Sequence, residues 1–246
     1  MPDVVQTSFL IPAYNEQTLL GRAISSIHES AALCGLVSYE IIVCDNDSTD
    51  RTAEIAKALG ASVIHEPHRQ IARARNAAAE ASIGSRLVWL DADATLPPDI
   101  LCGTIEAFDT GKFCGGGAQV ELEGVELDWG PRCAIATWNW VARTFHFAAG
   151  SYFFSTREAW SESGGFDELV YAAEEIGFAR ALKRWGKKHD LKFCVLENSV
   201  PSSARKIGQF TVLQTLWQMA LCAWPGNLGR RDRCAYWYER PETHAD

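Results

Sequence analysis

The chain has 246 residues, 47% hydrophobic and 22% charged, with a formal net charge of -8, which is the balance of a globular protein large enough to bury a sizeable core. The charge is uneven, since residues 1–182 carry 12 basic and 25 acidic side chains whereas residues 183–240 carry 11 basic and 4 acidic. The acidic body argues against nucleic acid as a partner, while the basic C-terminal part reads either as a solvated face or as a site for a phosphate group or membrane surface.

The eight cysteines are scattered, with no Cys-x-x-Cys pair and several in apolar segments. Free, buried thiols are placed in this way, so neither a zinc site nor a disulfide framework is expected, and a reducing cytoplasm is the expected compartment. A strand and a polar turn follow within about fifteen residues of the start, which argues against a secretory leader. No apolar run approaches the roughly 20 residues that span a bilayer.

In chain order, Thr7–Ile11 reads as a short apolar strand ending at Pro12-Ala-Tyr-Asn-Glu16. Leu20, Ile24, Ile27, Ala31 and Cys34 then recur at helical spacing. Tyr39–Cys44 is a second strand, and the cluster Asp45-Asn-Asp-Ser-Thr-Asp50 caps a helix that Gly60 stops. Ser62–His65 is a third strand, and Arg69–Asn76 leads into an alanine-rich helix. A fourth strand, Leu87–Leu90, halts abruptly at Asp91 and Asp93. Strand and helix alternate throughout, the pattern of a parallel sheet with covering helices. The turns after strands one, two and four, at Asn15 and Glu16, Asp45 and Asn46, and Asp91 and Asp93, therefore share one edge of the sheet. The first turn lacks Gly-x-Gly-x-x-Gly, which disfavours a dinucleotide-binding dehydrogenase.

The second half is less regular. Pro97-Pro98 starts a helix to about Phe108, and Gly115–Val120 reads as a strand. Eight aromatic residues between Trp129 and Phe154 form either core or a platform for an apolar or carbohydrate acceptor. Gly164-Gly-Phe-Asp-Glu168 is a turn before Glu174-Glu175 and a helix through Trp185, where two acids in the first turn complement the helix dipole. Residues 207–224 form an apolar-faced helix with Arg205, Lys206, Arg230, Arg231 and Arg233 nearby, and the stretch from Pro241 reads as a tail.

An Asp-x-Asp at a strand end suits a hard divalent cation, which takes one or two carboxylates and completes its shell with water and phosphate oxygens. The same residues also fit an Asp-rich turn, and Asp91-Ala-Asp-Ala-Thr95 fits an aspartate-nucleophile phosphatase attacking from Asp91. That enzyme would carry its motif near the start and a later Gly-Asp-x-x-x-Asp cluster, and this chain has neither.

Six stretches in order, Ile11–Glu16, Ile41–Asp50, Ala74-Arg-Asn76, Leu90-Asp-Ala-Asp93, Gly164–Glu168 and Glu174-Glu175, together resemble the family-2 glycosyltransferases. The resemblance implies an α/β, GT-A type fold with a Rossmann-like, mostly parallel sheet flanked by helices. One domain over residues 1–240 would comprise a nucleotide-sugar half (1–110), an acceptor and catalytic half (111–206) and a C-terminal helical segment (207–240), before a tail at 241–246. Pro12, Tyr14, Glu16, Asp45 and Asn46 match the positions that hold base and ribose. Asn46 stands where the family often has a second Asp, which leaves the base open between a UDP- and a GDP-sugar donor. Either Arg73 or Arg75 would approach the donor. Asp93 matches the ligand of Mn²⁺ or Mg²⁺, and Asp91 its partner toward the ribose or sugar. The family's later Glu-Asp pair is Glu174-Glu175 here, so the general base maps to Glu175, with Glu174 as the other candidate. The implied activity is inverting transfer of a sugar to an acceptor hydroxyl, on a lipid-linked molecule or a saccharide. Residues 205–233 would offer peripheral contact at the inner face of a membrane. A non-catalytic nucleotide-binding module is the remaining alternative.

Overall fold

The computed structural model describes residues 5–123, 150–203, 205, 227–234 and 238. An interior strand, β1 (Thr7–Ala13), owes its place to three consecutive fully buried residues, Phe9, Leu10 and Ile11. Side chains alternate across a strand, so Phe9 and Ile11 enter one apolar layer and Leu10 the other. β1 pairs in parallel with β2 (Tyr39–Asp45) and β4 (Arg86–Leu90), and β2 carries β3 (Ser62–His65) on its outer side. These strands lie where the apolar runs place them.

Four helices in the first half follow the same logic. α1 (Leu20–Leu33) buries Leu20, Ile24, Ile27 and Ala31 on one stripe. α2 (Thr52–Ala58) ends just before Gly60, whose φ of 81° is a left-handed conformation that glycine adopts without a Cβ clash. α3 (Ile71–Ala81) is the alanine-rich helix, and α4 (Pro98–Asp109) begins at the Pro97-Pro98 pair. α1 and α4 cover one face of the sheet, and α3 covers the other.

The second half adds β5 (Phe113–Glu123), β6 (Tyr152–Thr156), α5 (Arg157–Ser163), α6 (Glu174–Lys188) and β7 (Lys192–Ser203). β6 runs antiparallel between β4 and β5, while β7 lies parallel to β5, giving the order β3-β2-β1-β4-β6-β5-β7. Tyr152 and Phe154 enter the layer under α1 and α4, whereas Phe153 enters the layer under α3, α5 and α6. This part of the aromatic segment is therefore core, and Trp129 to Phe147 lie outside the described residues. A strand buried on both faces loses its alternating pattern, which is why periodicity alone did not separate β6 from its neighbours. At Gly116 a Cβ would meet the Cys194 carbonyl and the Phe154 ring, so the close approach of β5 to both neighbours requires glycine there.

The expectation of free thiols fails at one pair. Cys34, at the C-terminal cap of α1, and Cys102, in α4, form a disulfide with Cα atoms 5.5 Å apart. Their separation of 68 residues gave no local sign that the two helices pack side by side. Cys44, Cys114 and Cys194 are free thiols, and Cys133 and Cys222 lie outside the described residues, as do the helix expected at 207–224, Lys206 and the tail from 241. Among the described residues no helix is long and apolar enough to cross a membrane.

Closing a loop of this length restricts the unfolded chain, so reduction or Cys102→Ser should lower unfolding stability by about 2–4 kcal/mol. Chemical denaturation with and without reductant measures this, and coincident midpoints would mean that the bridge does not contribute to the fold.

Candidate active site

β1 stays paired with β2 through Ala13 and Asp45, but its pairing with β4 stops at Leu10 and Trp89. Pro12 has no backbone N–H to extend a ladder. The two strands part at the point where the sheet order changes direction, the usual place for a ligand crevice in an open α/β sheet. A cleft of about 290 Å³ opens there, and its walls include Pro12, Tyr14, Glu16, Asn46, Arg75, Asp91, Asp93, Glu174 and Glu175.

The two turns on the β1–β2 side are knitted together by side chains. Asn15 N–H donates to Ser48 Oγ at 2.9 Å, Glu16 N–H to Thr52 Oγ1 at 2.8 Å, and Thr49 N–H to Asn15 Oδ1 at 2.8 Å. Asn15 and Asp47 both sit at positive φ, a conformation that Asn and Asp tolerate better than most residues. Asp45 is used in this turn, accepting Ser48 N–H at 3.1 Å, and it is not among the cleft walls. Asn46 donates both amide hydrogens, to Glu66 O at 2.9 Å and His68 O at 2.8 Å, and accepts Gln70 N–H at 2.9 Å. An Asp has no hydrogens for those two carbonyls, so the amide has a structural reason that the sequence alone did not disclose.

Arg75 crosses the centre of the site. Only 3% exposed, its guanidinium donates to Asp91 Oδ1 at 3.0 Å, Glu174 Oε1 at 2.9 Å and Gly150 O at 2.8 Å. Burial works against its charge, but Asp91, Glu174 and Glu175 outweigh that cost and hold it protonated. Arg73, two residues earlier on α3, points elsewhere and approaches Glu168 Oε2 at 3.5 Å. Arg75 is thus the one of the two that faces the cleft.

The next residue locks a distant turn. Asn76 donates to Phe166 O at 2.8 Å and accepts Phe166 N–H at 2.9 Å, and a Cβ on Gly165 would lie 2.7 Å from Asn76 Oδ1. Gly165, at φ 66°, permits that approach. Past this turn, Ala173 adopts φ 60° immediately before α6 and begins the helix that brings Glu174 and Glu175 to the cleft. Glu174 is buried against Arg75. Glu175 is half-buried, and its carboxyl is pushed up to about 8 by burial and by the Glu174 and Asp91 charges, with Arg75 pulling in the opposite direction.

Asp93 follows β4, and its backbone carbonyl accepts Ser203 N–H at 3.0 Å from the end of β7. Two residues on, Arg205 donates through Nη2 to both Glu16 oxygens, at 2.8 and 2.9 Å, and lies 3.7 Å from Asp93 Oδ2. Three residues here escaped the sequence reading as site members. Arg69 stacks 3.8 Å over the Tyr14 ring, Tyr238 forms part of the wall, and Arg205 was read only as part of a basic surface. Arg69 lies inside a stretch already noted, but no local signal marks Tyr238 or Arg205.

Among the described residues no group of three or more His, Cys, Asp or Glu side chains forms a metal cluster. A magnesium-type site does not need one, because one or two carboxylates with substrate phosphates suffice. The Asp93 carboxylate lines the cleft and can supply one such ligand.

The family model for glycosyl transferase family 2 matches residues 8–163. A dolichol-phosphate mannosyltransferase of Pyrococcus furiosus is 32% identical over 133 residues, which is 51% of this chain and 36% of the relative. A chondroitin synthase of Pasteurella multocida is 27% identical over 198 residues, 76% of this chain and 20% of the relative. The chain therefore spans well under two thirds of the length of these curated relatives. Among solved structures, a mannosyltransferase from Pyrobaculum calidifontis in complex with GDP-Man and Mn²⁺ superposes with a TM-score of 0.65 at 19% identity, covering 87% of this chain and 60% of that one. A glucosyl-3-phosphoglycerate synthase from Mycobacterium tuberculosis, in complex with Mn²⁺, UDP and glucosyl-3-phosphoglycerate, gives 0.58 at 20% identity, covering 94% and 80%. With the family match over most of the chain and the GT-A fold in place, the chain belongs to glycosyl transferase family 2.

Proposed function

We propose that the chain is a metal-dependent, inverting glycosyltransferase, moving a sugar from a UDP- or GDP-linked donor to an acceptor hydroxyl. One observation carries the reading: Asp93, from the end of β4, and Glu175, from the start of α6, line the same cleft, with the Arg75 ion network between them. The nucleotide-sugar and Mn²⁺ complexes of the structural neighbours support it.

The β1 and β2 turns frame the base and ribose, with Pro12, Tyr14, Glu16 and Asn46 at the cleft and Asp45 holding the second turn in shape. Arg69 over Tyr14 adds a positive charge on the same side. Asp93 would hold Mn²⁺ or Mg²⁺, which when bound neutralises charge developing on the departing diphosphate. Asp91, fixed by Arg75, orients the ribose or sugar. Glu175 takes the acceptor proton as the hydroxyl oxygen attacks the anomeric carbon. The carbon to phosphate-oxygen bond breaks with its electron pair leaving on the diphosphate, and this single displacement inverts the anomeric centre. Glu174 is engaged by Arg75, which leaves Glu175 as the base. A raised carboxyl pKa makes it a stronger base near neutral pH. The acceptor belongs to the lipid-linked or saccharide class, and peripheral contact of residues 205–233 with the inner face of a membrane completes the reading.

Thermal shift with UDP, GDP and dTDP tests the donor site, since a ligand that binds only the folded state raises apparent stability. At least one nucleotide should raise the melting temperature only when Mn²⁺ is present, and Asp93→Ala should abolish the metal-dependent part. No metal-dependent shift with any of the three would end the donor-site reading.

Glu175→Gln should leave nucleotide binding intact and reduce transfer by about 10²–10⁴-fold. Because Glu175 works deprotonated, kcat/KM should rise with pH through a midpoint near 8 and level off above it. A flat profile between pH 5 and 8 with transfer intact in Glu175→Gln would move the base elsewhere.

A further inference from the structure

We infer that Arg205 is an internal counter-cation that must leave Asp93 before a divalent ion can bind there, which makes metal binding depend on the nucleotide. The inference rests on the metal reading of Asp93. Arg205 Nη2 is shared between the Glu16 carboxylate, at 2.8 and 2.9 Å, and Asp93 Oδ2 at 3.7 Å. The two acids come from different strand ends, and their side chains are only 6% and 11% exposed. Two carboxylates so shielded repel each other, and one guanidinium between them offsets that repulsion.

The position of Arg205 is set by backbone pairing and is not that of a free surface side chain. The end of β7 is hydrogen-bonded to the Asp93 segment through Thr95 N–H to Pro201 O at 2.9 Å and Ser203 N–H to Asp93 O at 3.0 Å. Arg205 N–H then donates to Ser203 Oγ at 3.2 Å. The main chain is held beside Asp93, and only the long side chain is free to swing.

Magnesium binds its oxygen ligands at about 2.0–2.1 Å. An ion on Asp93 would then lie within a few ångströms of Arg205 Nη2, and two positive charges that close repel strongly where water is scarce. Arg205 must withdraw, or the ion binds weakly. A nucleoside diphosphate changes the balance by bringing negative charge that serves both cations. Metal without nucleotide should therefore bind poorly, and metal with nucleotide well. Arg205 is a positioning residue in this scheme, acting through Asp93 and Glu16.

Mn²⁺ binding, measured by titration calorimetry or by the electron paramagnetic resonance of free Mn²⁺, tests this without any acceptor. The wild type should bind Mn²⁺ more tightly when saturating UDP or GDP is present. Arg205→Gln should bind Mn²⁺ alone about fivefold more tightly or better, the lower end of common site-to-site couplings, and should lose part of the nucleotide enhancement. Arg205→Lys keeps the charge, so its affinity for Mn²⁺ alone should stay near wild type. It also guards against a folding defect in Arg205→Gln, because its own loss of the antagonism would contradict the charge account. Nucleotide-supported Mn²⁺ binding that persists while Arg205→Gln leaves the affinity for Mn²⁺ alone unchanged or weaker would overturn the inference and leave the donor site standing. Absence of Mn²⁺ binding with every nucleotide in the wild type would overturn both.

Discussion

The buried Arg75 guanidinium is the constraint on which the rest of the site depends. It joins the end of β4, through Asp91, to the start of α6, through Glu174, and to the chain between them, through Gly150. Taking these charges out of water is costly, and only their mutual pairing and hydrogen bonding makes the arrangement tolerable. The cost secures geometry. Asp91 and Glu174 come from segments far apart in sequence, and one rigid, planar cation sets the distance between them. Burial first, and then the negative charge of Glu174 and Asp91, make Glu175 hard to ionise.

Two asparagines extend the same principle to the backbone. Asn46 fastens the end of β2 to the segment 66–70, and Asn76 fastens α3 to the turn at Phe166. Each uses donor and acceptor together, which a carboxylate cannot do. Gln70 adds two donors to Glu168 O and Val170 O. The β2 end and the turn before α6 are thus tied to the segment between them and to α3 by side-chain amides.

The first half of the fold was legible from local pattern. Apolar runs ending in polar turns marked β1 to β4, helical spacing marked α1 and alanine content marked α3, because each element's own burial and propensity are written into its local sequence. The second half was less legible. β6 is apolar on both faces and β7 is an edge strand of mixed exposure containing Pro201, so neither shows a clean period-two alternation. The site followed the same division. Glu16, Asp91, Asp93, Glu174 and Glu175 were recoverable as motif residues in order, whereas Tyr238 and Arg205 had no motif to mark them.

By itself, then, the sequence determined the alternation of strands and helices, the shared edge on which the acidic turns fall, and the family resemblance that links them. Only the tertiary structure decided that Arg75 and not Arg73 faces the cleft, that Asn46 is bound to backbone, that Cys34 meets Cys102, and that Arg205 reaches Glu16. These contacts close over separations such as 68, 99 and 189 residues. Local periodicity reports which face of an element is buried, but it says nothing about which distant side chain meets it there. Which partners meet is set by sheet order and register, and those exist only once the whole chain has packed.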